Sequence, residues 1–423
     1  MQEDFLHYLW KFQKFSKSQL KSQNDEQIHI VQQGNHNQDA GPDFFNAHIR
    51  IDNQLWVGNV EIHLKSSDWY AHHHETDAAY DNVILHVVWQ HDVDVFRNNR
   101  TVIPTLELKG KIDTATLSNY HKLFSGKNTW IACEGSFAET DDFLLQNWLE
   151  RLYFERLENK SKFIFKLLEK TKNNWEAVLF LMLAKNFGLK KNGEAFLSIA
   201  QSFDFSVLKK SQQSLLQLEA LFLGQAGILE IISDDKYLQS LKKEYDFLKH
   251  KYILNNQNVL PVQFFRLRPV NFPTIRLAQL AAVYNENNQL FSEISEAKKK
   301  KSIYALFKVS ASRFWDTHYH FKSVSPKRKK ALTKSFVDLI IINTILPVLF
   351  CYFKYQGKAI PDYLLELISS IESEQNSMIT KFNNLKVVSR NAMHSQALIE
   401  LKTNYCDKKK CVECAVGNNL LKR

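Results

Sequence analysis

Two β-rich runs, HIRI (48–51) and LWVGNVEIHL (55–64), flank the breaker Asp52-Asn53-Gln54, and this pattern constrains the chain most. Such a pairing predicts a hairpin. In the second arm Val60, Ile62 and Leu64 alternate with Glu61, His63 and Lys65. Side chains on a strand point to opposite faces with a period of two, so one face joins the core while the other carries an acid, an imidazole and an amine in a row. Asp43, in Gly41-Pro42-Asp43-Phe44, stands at the mouth of the first arm, and closing the hairpin brings it towards Glu61. The two carboxylates are expected about 4 to 6 Å apart, near enough to share a cation, with His63 on the same face.

That constellation suits phosphodiester hydrolysis. The reaction needs charge neutralisation on the scissile phosphate and an activated water, and Mg²⁺ or Mn²⁺ held by Asp43 and Glu61 supplies both. His63 or Lys65 would orient the water, and Glu3 would add a carboxylate from an N-terminal helix over QEDFLHYLWKFQKF. Histidines crowd the same region: His36, His48, His63, His72, His73, His74 and His86. Imidazole with carboxylate also suits zinc, manganese or iron. An alternative reading is therefore a transition-metal hydrolase of a small molecule, with the ion on His63, His74 and Asp77.

The Pro42-Asp43 and Glu61-x-His63 pairs resemble the signature of the PD-(D/E)XK nuclease superfamily, with His63 where that signature has its lysine and Lys65 two residues further along the same face. The order of expected elements is similar: the N-terminal helix, a strand near Ile28 to Gln32, the hairpin, a helical stretch near Glu75 to Tyr80 and a buried strand NVILHVVW (82–89). The resemblance covers about the first quarter of the chain. It implies an α+β fold with an N-terminal PD-(D/E)XK-like mixed sheet and flanking helices, followed by a mostly α-helical domain.

From about Asp141 onward apolar residues recur three and four apart, as in DFLLQNWLERLYFERLENKSKFIFKLLEK, which predicts packed amphipathic helices. Twelve glycines and eight prolines in 423 residues leave few breaks, so helices dominate. The expected domains are 1–135, nuclease-like, and 141–423, helical and ending in a cysteine cluster. A net charge of +10 favours a polyanionic partner. The loop FFRLRPVNFPTIRLA sets Arg266, Arg268 and Arg276 around two prolines at a helix start, where they would grip a phosphate or a buried carboxylate. The patch RFWDTHYHF (313–321) offers aromatic rings for base stacking or for packing. No basic segment precedes an apolar one at the N-terminus, so the expected compartment is the cytoplasm. The apolar run Phe336–Phe353 is interrupted by Asp338, Asn343 and Pro347, which predicts a kinked core helix and no membrane association.

Cys406, Cys411 and Cys414 follow a C-x4-C-x2-C spacing that points to metal ligation, with Cys133 as fourth ligand, whereas Cys351 lies in the apolar run. Zinc and an iron–sulfur cluster both fit such a set. DNA-processing nucleases of the PD-(D/E)XK superfamily carry a comparable arrangement, although their remote cysteine precedes the nuclease core and Cys133 follows it. The blocks HYLW, GNHNQDAGPDF, GNVEIHLKSSDW, RPVNFPTIRLA and CDKKKCVECAVGN together resemble the bacterial family called domain of unknown function 2851. The functional expectation is a divalent-metal-dependent nuclease or related phosphodiesterase acting on nucleic acid. A non-catalytic nucleic-acid or protein-binding module with a degenerate nuclease site is the alternative from a different class.

Overall fold

Six strands carry the first part of the chain: β1 (Ile28–Gln32), β2 (Asn35–His36), β3 (Phe44–Ile51), β4 (Gln54–Lys65), β5 (Val83–Gln90) and β6 (Thr105–Glu107). They form one mixed sheet in the order β1-β3-β4-β5-β6, with β2 paired to β3. The hairpin of β3 and β4 is antiparallel, with Ile51 opposite Gln54. At its turn Asp52 has φ 49°, a left-handed conformation that aspartate tolerates, and its Oδ1 accepts a hydrogen bond from the Gln27 N–H at 2.8 Å. β5 and β6 continue the sheet in parallel.

One irregularity decides where Asp43 points. Phe44 pairs with Val60, but Ala47 pairs with Gly58, so β3 holds one extra residue and Asn46 takes φ 55°. Phe44 and Ala47 are consequently both buried, three residues apart. In a regular strand Asp43 would share a face with Ala47, Ile49 and Ile51, which are core residues. The bulge reverses the alternation and turns Asp43 to the face that carries Glu61.

The computed structural model describes residues 1–37, 39–124 and 129–422. They divide into two units: Met1–Trp148 with Asn384–Lys386 and Ile399–Arg423, and Leu149–Asn383 with Val387–Leu398. The sequence-based boundary near 135–141 placed the cysteine segment with the helices; the contacts group it with the sheet. In the first unit Phe44, Ala47, Ile49, Val60, Ile62, Leu85 and Val87 pack with Phe5, Leu6, Leu9 and Trp10 of helix α1 (Glu3–Lys11). The same core takes Val412 and Leu421 from the C-terminal segment. A smaller cluster gathers Trp69, Val83, Val95 and Ile103.

The helix expected over 75–80 is instead a sequence of short turns: α2 (Asp68–Ala71), then 3₁₀ turns at His74–Thr76 and Ala78–Tyr80. His73, with φ 59°, stops helix propagation. Asp77 then caps the last turn by accepting the Ala79 N–H at 2.9 Å.

In the second unit the helix Trp175–Phe187 is buried continuously from Ala177 to Ala184, as a central helix must be. Its Phe180 packs near-parallel to Phe222 and edge-on to Tyr284. The apolar run Lys334–Tyr355 is long and apolar enough to cross a membrane by length and composition, yet 72% of its most apolar window is buried inside the protein. It is a core helix. Its irregularity begins before Pro347, as a π turn over Ile341–Ile345, and Pro347 sits in the first turn of the helix that follows. The missing proline N–H costs little there. Asn186 completes the joint, donating to Thr344 Oγ1 at 2.8 Å and to the Asn343 carbonyl at 3.3 Å.

Candidate metal centre

Glu61 and His63 follow from β4 alternation, and both are buried, at 5% and 1% exposure. Two cross-strand hydrogen bonds lock Glu61 to Asp43: the Asp43 N–H donates to Glu61 Oε2 at 3.1 Å, and the Ile62 N–H donates to Asp43 Oδ2 at 2.9 Å. Helix α1 contributes Glu3 and His7, four residues apart on one face. His7 Nε2 lies 3.2 Å from Asp43 Oδ2, and Glu3 Oε1 lies 4.0 Å from His63 Nε2.

The turns after β4 supply the imidazoles. His63 Nε2 is 3.0 Å from His72 Nδ1 and 3.6 Å from Glu61 Oε1, and His74 Nε2 is 3.4 Å from the same oxygen. From β5, His86 Nε2 meets His63 Nδ1 at 2.8 Å. Donor atoms of His63, His72 and His74 all lie within 4.8 Å of one another, and among the described residues this is the one group of three or more metal-ligating side chains so close.

Among the described residues, the ion-pair partners of Asp43 and Glu61 are imidazoles alone. Burial, with the neighbouring Asp43 charge, pushes the Glu61 carboxyl up to about 8, against the opposing Asp43 N–H and His7. Burial likewise lifts Glu3 to about 7. His63 is driven down to about 3, by burial first and then by His72 and His74. Burial also lowers His7, but the adjoining Asp43 and Glu3 carboxylates reverse this and leave it raised. Without an ion, burial therefore favours the protonated form of Glu61 and the neutral form of His63. A divalent ion would displace that proton.

Of the residues singled out from sequence, Asp43, Glu61, His63 and Glu3 come together. Lys65 does not join them: it is exposed at the end of β4, and its charge helps to lower the Asp92 carboxyl. Asp77 is taken up as a turn cap. Cys133, Cys406, Cys411 and Cys414 all belong to the first unit, and Cys133 packs against the core cluster that contains Cys411. Burial, then the neighbouring thiols, push Cys133 and Cys411 up to about 12, so without an ion these thiols stay protonated. Cys351 is fully buried in the second unit.

The arginine loop separates. Arg266 and Arg268 are exposed, whereas Arg276 is buried. Its guanidinium donates to Gln279 Oε1 at 2.8 Å and Asn271 Oδ1 at 2.6 Å, and stacks 3.6 Å from the Phe336 ring centre. Alanine at 276 is expected to cost about 2 to 4 kcal/mol in stability, read as a lower denaturation midpoint.

Sequence reasoning gave no role to His7 and set aside His72 and His86. The Glu3-x3-His7 spacing was the available signal, since it puts both on one helical face. The family model of a protein of unknown function (DUF2851) matches residues 3–377. The chain belongs to that family. In this DUF2851 member the matched span contains every residue of the carboxylate–imidazole cluster and ends before Cys406. No curated protein and no solved structure matches the chain.

Proposed function

We propose that this protein is a divalent-metal-dependent phosphodiester hydrolase acting on nucleic acid. The observation that carries the reading is the buried Glu61 carboxylate, locked to Asp43 and surrounded by imidazoles in place of a lysine or arginine. Two acids so placed repel each other unless a proton or a cation lies between them. A divalent ion on Asp43 and Glu61 would neutralise a phosphate oxygen and lower the pKa of a bound water. His7, beside Asp43 and raised in pKa, is the group placed to exchange a proton with that water or with the leaving oxygen. The net charge of +10 favours a polyanionic substrate.

The test begins with chelator-stripped protein and labelled DNA and RNA, each single- and double-stranded. Adding Mg²⁺, Mn²⁺ or Zn²⁺ is expected to start strand cleavage, and Asp43→Asn or Glu61→Gln should each lower it by about a thousandfold or more. Intact substrates with every ion, or variants as active as the parent, would overturn the proposal.

A further inference from the structure

We propose that the ion at this centre is a late first-row divalent metal of the zinc class, held by the imidazoles of His63, His72 and His74, with Glu61 Oε1 on the His63 and His74 side and His86 as the positioning residue for His63. The assignment rests on the reading of the Asp43–Glu61 pair as a metal-binding site and adds the identity of the ion and of its imidazole ligands. Ligand atoms about 2.1 Å from a common ion stand about 3.0 Å apart at a right angle and about 3.4 Å apart at the tetrahedral angle. The separations here are 3.0 Å (His63–His72), 3.4 Å (His74–Glu61) and 3.6 Å (His63–Glu61). The His63–His72 edge is that of a coordination shell, the donor atoms of all three histidines lie within 4.8 Å of one another, and Glu61 Oε1 borders two of them.

The donor chemistry agrees. Magnesium takes oxygen ligands and gives up water reluctantly, whereas imidazole suits zinc, iron and their neighbours. The Glu61 oxygens divide their work: Oε2 accepts the Asp43 N–H, leaving Oε1 towards the histidines.

His86 supplies an independent observation. It is fully buried and contacts His63 Nδ1 at 2.8 Å, the outer-shell contact that fixes the tautomer of a ligating histidine. Its other nitrogen, Nδ1, has no hydrogen-bond partner among the described residues. Nothing behind the ring therefore holds it in one tautomer, and ion loading selects the form in which His63 Nδ1–H donates to His86. That leaves the His63 Nε2 lone pair facing the ion.

Cobalt(II) is the probe, because its visible d–d bands report nitrogen ligation and zinc displaces it. Stripped protein is expected to take up one Co²⁺ with a visible band, to lose it to Zn²⁺ and to keep it in excess Mg²⁺. His72→Ala and His74→Ala should weaken Co²⁺ binding at least tenfold. His86→Phe should weaken it about 10- to 100-fold while the band stays in place, since the ligands are retained. His73→Asn, next to both ligands in sequence but outside the group and able to keep the left-handed backbone there, should titrate like the parent, and each variant is checked for parental circular dichroism. Unaltered Co²⁺ binding in His72→Ala and His74→Ala, or equal competition by Mg²⁺ and Zn²⁺, would overturn the assignment. Histidine-dependent Co²⁺ binding without cleavage of any nucleic acid would leave the ion assigned and remove the proposed function. Mg²⁺-driven cleavage that survives loss of both histidines would do the reverse.

Discussion

Replacing Glu61 with glutamine is expected to raise the melting temperature of the metal-free protein at pH 8 by several degrees, and at the same time to remove the stabilisation that added metal gives. The folded protein holds the Glu61 carboxyl at about 8, above its ordinary 4.5. Folded chains therefore keep a proton that unfolded chains release, so this group's contribution is fully present below about pH 4.5 and is lost as pH rises through about 8. The span corresponds to roughly 3 to 5 kcal/mol, shared with Asp43. Buried His63 and His86 and half-buried His74 work in the opposite sense: their folded values are depressed, so they cost stability as pH falls below about 6.5. Metal-free parent protein should be most stable near pH 6, where the two trends cross. Glutamine keeps the volume of Glu61 and has no charge to bury, but it loses the anionic ligand. Melts in chelator from pH 5 to 9, repeated with metal, decide the matter. Equal alkaline slopes in parent and Glu61→Gln would refute the electrostatic account.

The second large effect lies in the helical unit. Glu219 is fully buried, and its carboxylate accepts from Tyr237 O–H at 2.5 Å, the Ser312 N–H at 3.3 Å, Ser312 Oγ at 3.2 Å and Trp315 Nε1 at 3.0 Å. Burial raises this carboxyl, and the side-chain donors pull it back down. Alanine at 219 would strand these donors around a cavity, with an expected loss of about 3 to 5 kcal/mol. Glutamine should cost less, because its carbonyl oxygen still accepts. Denaturant titration followed by tryptophan fluorescence and circular dichroism measures both variants, and a loss below about 1 kcal/mol for Glu219→Ala would show that the donors find other partners. The same network bears on the aromatic patch at 313–321. Trp315 is fully buried and tied to Glu219, while Phe314 stacks on Tyr237 at 4.6 Å and on His318 at 4.1 Å. These rings are packing groups of the unit itself.

What could be seen in the sequence was what depends on short-range periodicity. Alternation in 60–65 identified the shared face of Glu61 and His63, the apolar run at 82–89 identified β5, and the amphipathic start identified α1. The reasoning about Asp43 reached its position without the device that puts it there. A bulge depends on how two strands register, and a lone Asn46 with positive φ has no local signature strong enough to announce it. Of the histidine trio, the transition-metal reading named His63 and His74, but with Asp77 where the structure brings His72. The trio's geometry needs His73 in a left-handed conformation so that His72 and His74 both come near His63. Arg276 looked like its neighbours 266 and 268 because charge in a sequence carries no sign of burial.

The sheet-bearing unit is discontinuous: about 250 residues separate Trp148 from Ile399, and its core includes Val412 and Leu421. A chain emerging from the ribosome at about 5 to 20 residues per second must wait on the order of 10 to 50 s between making the strands and making the segment that closes over them. During that interval β3 and β4 exist without the Val412 and Leu421 part of their core, while the helical unit is complete enough to fold first. Maturation thus runs against the order of synthesis.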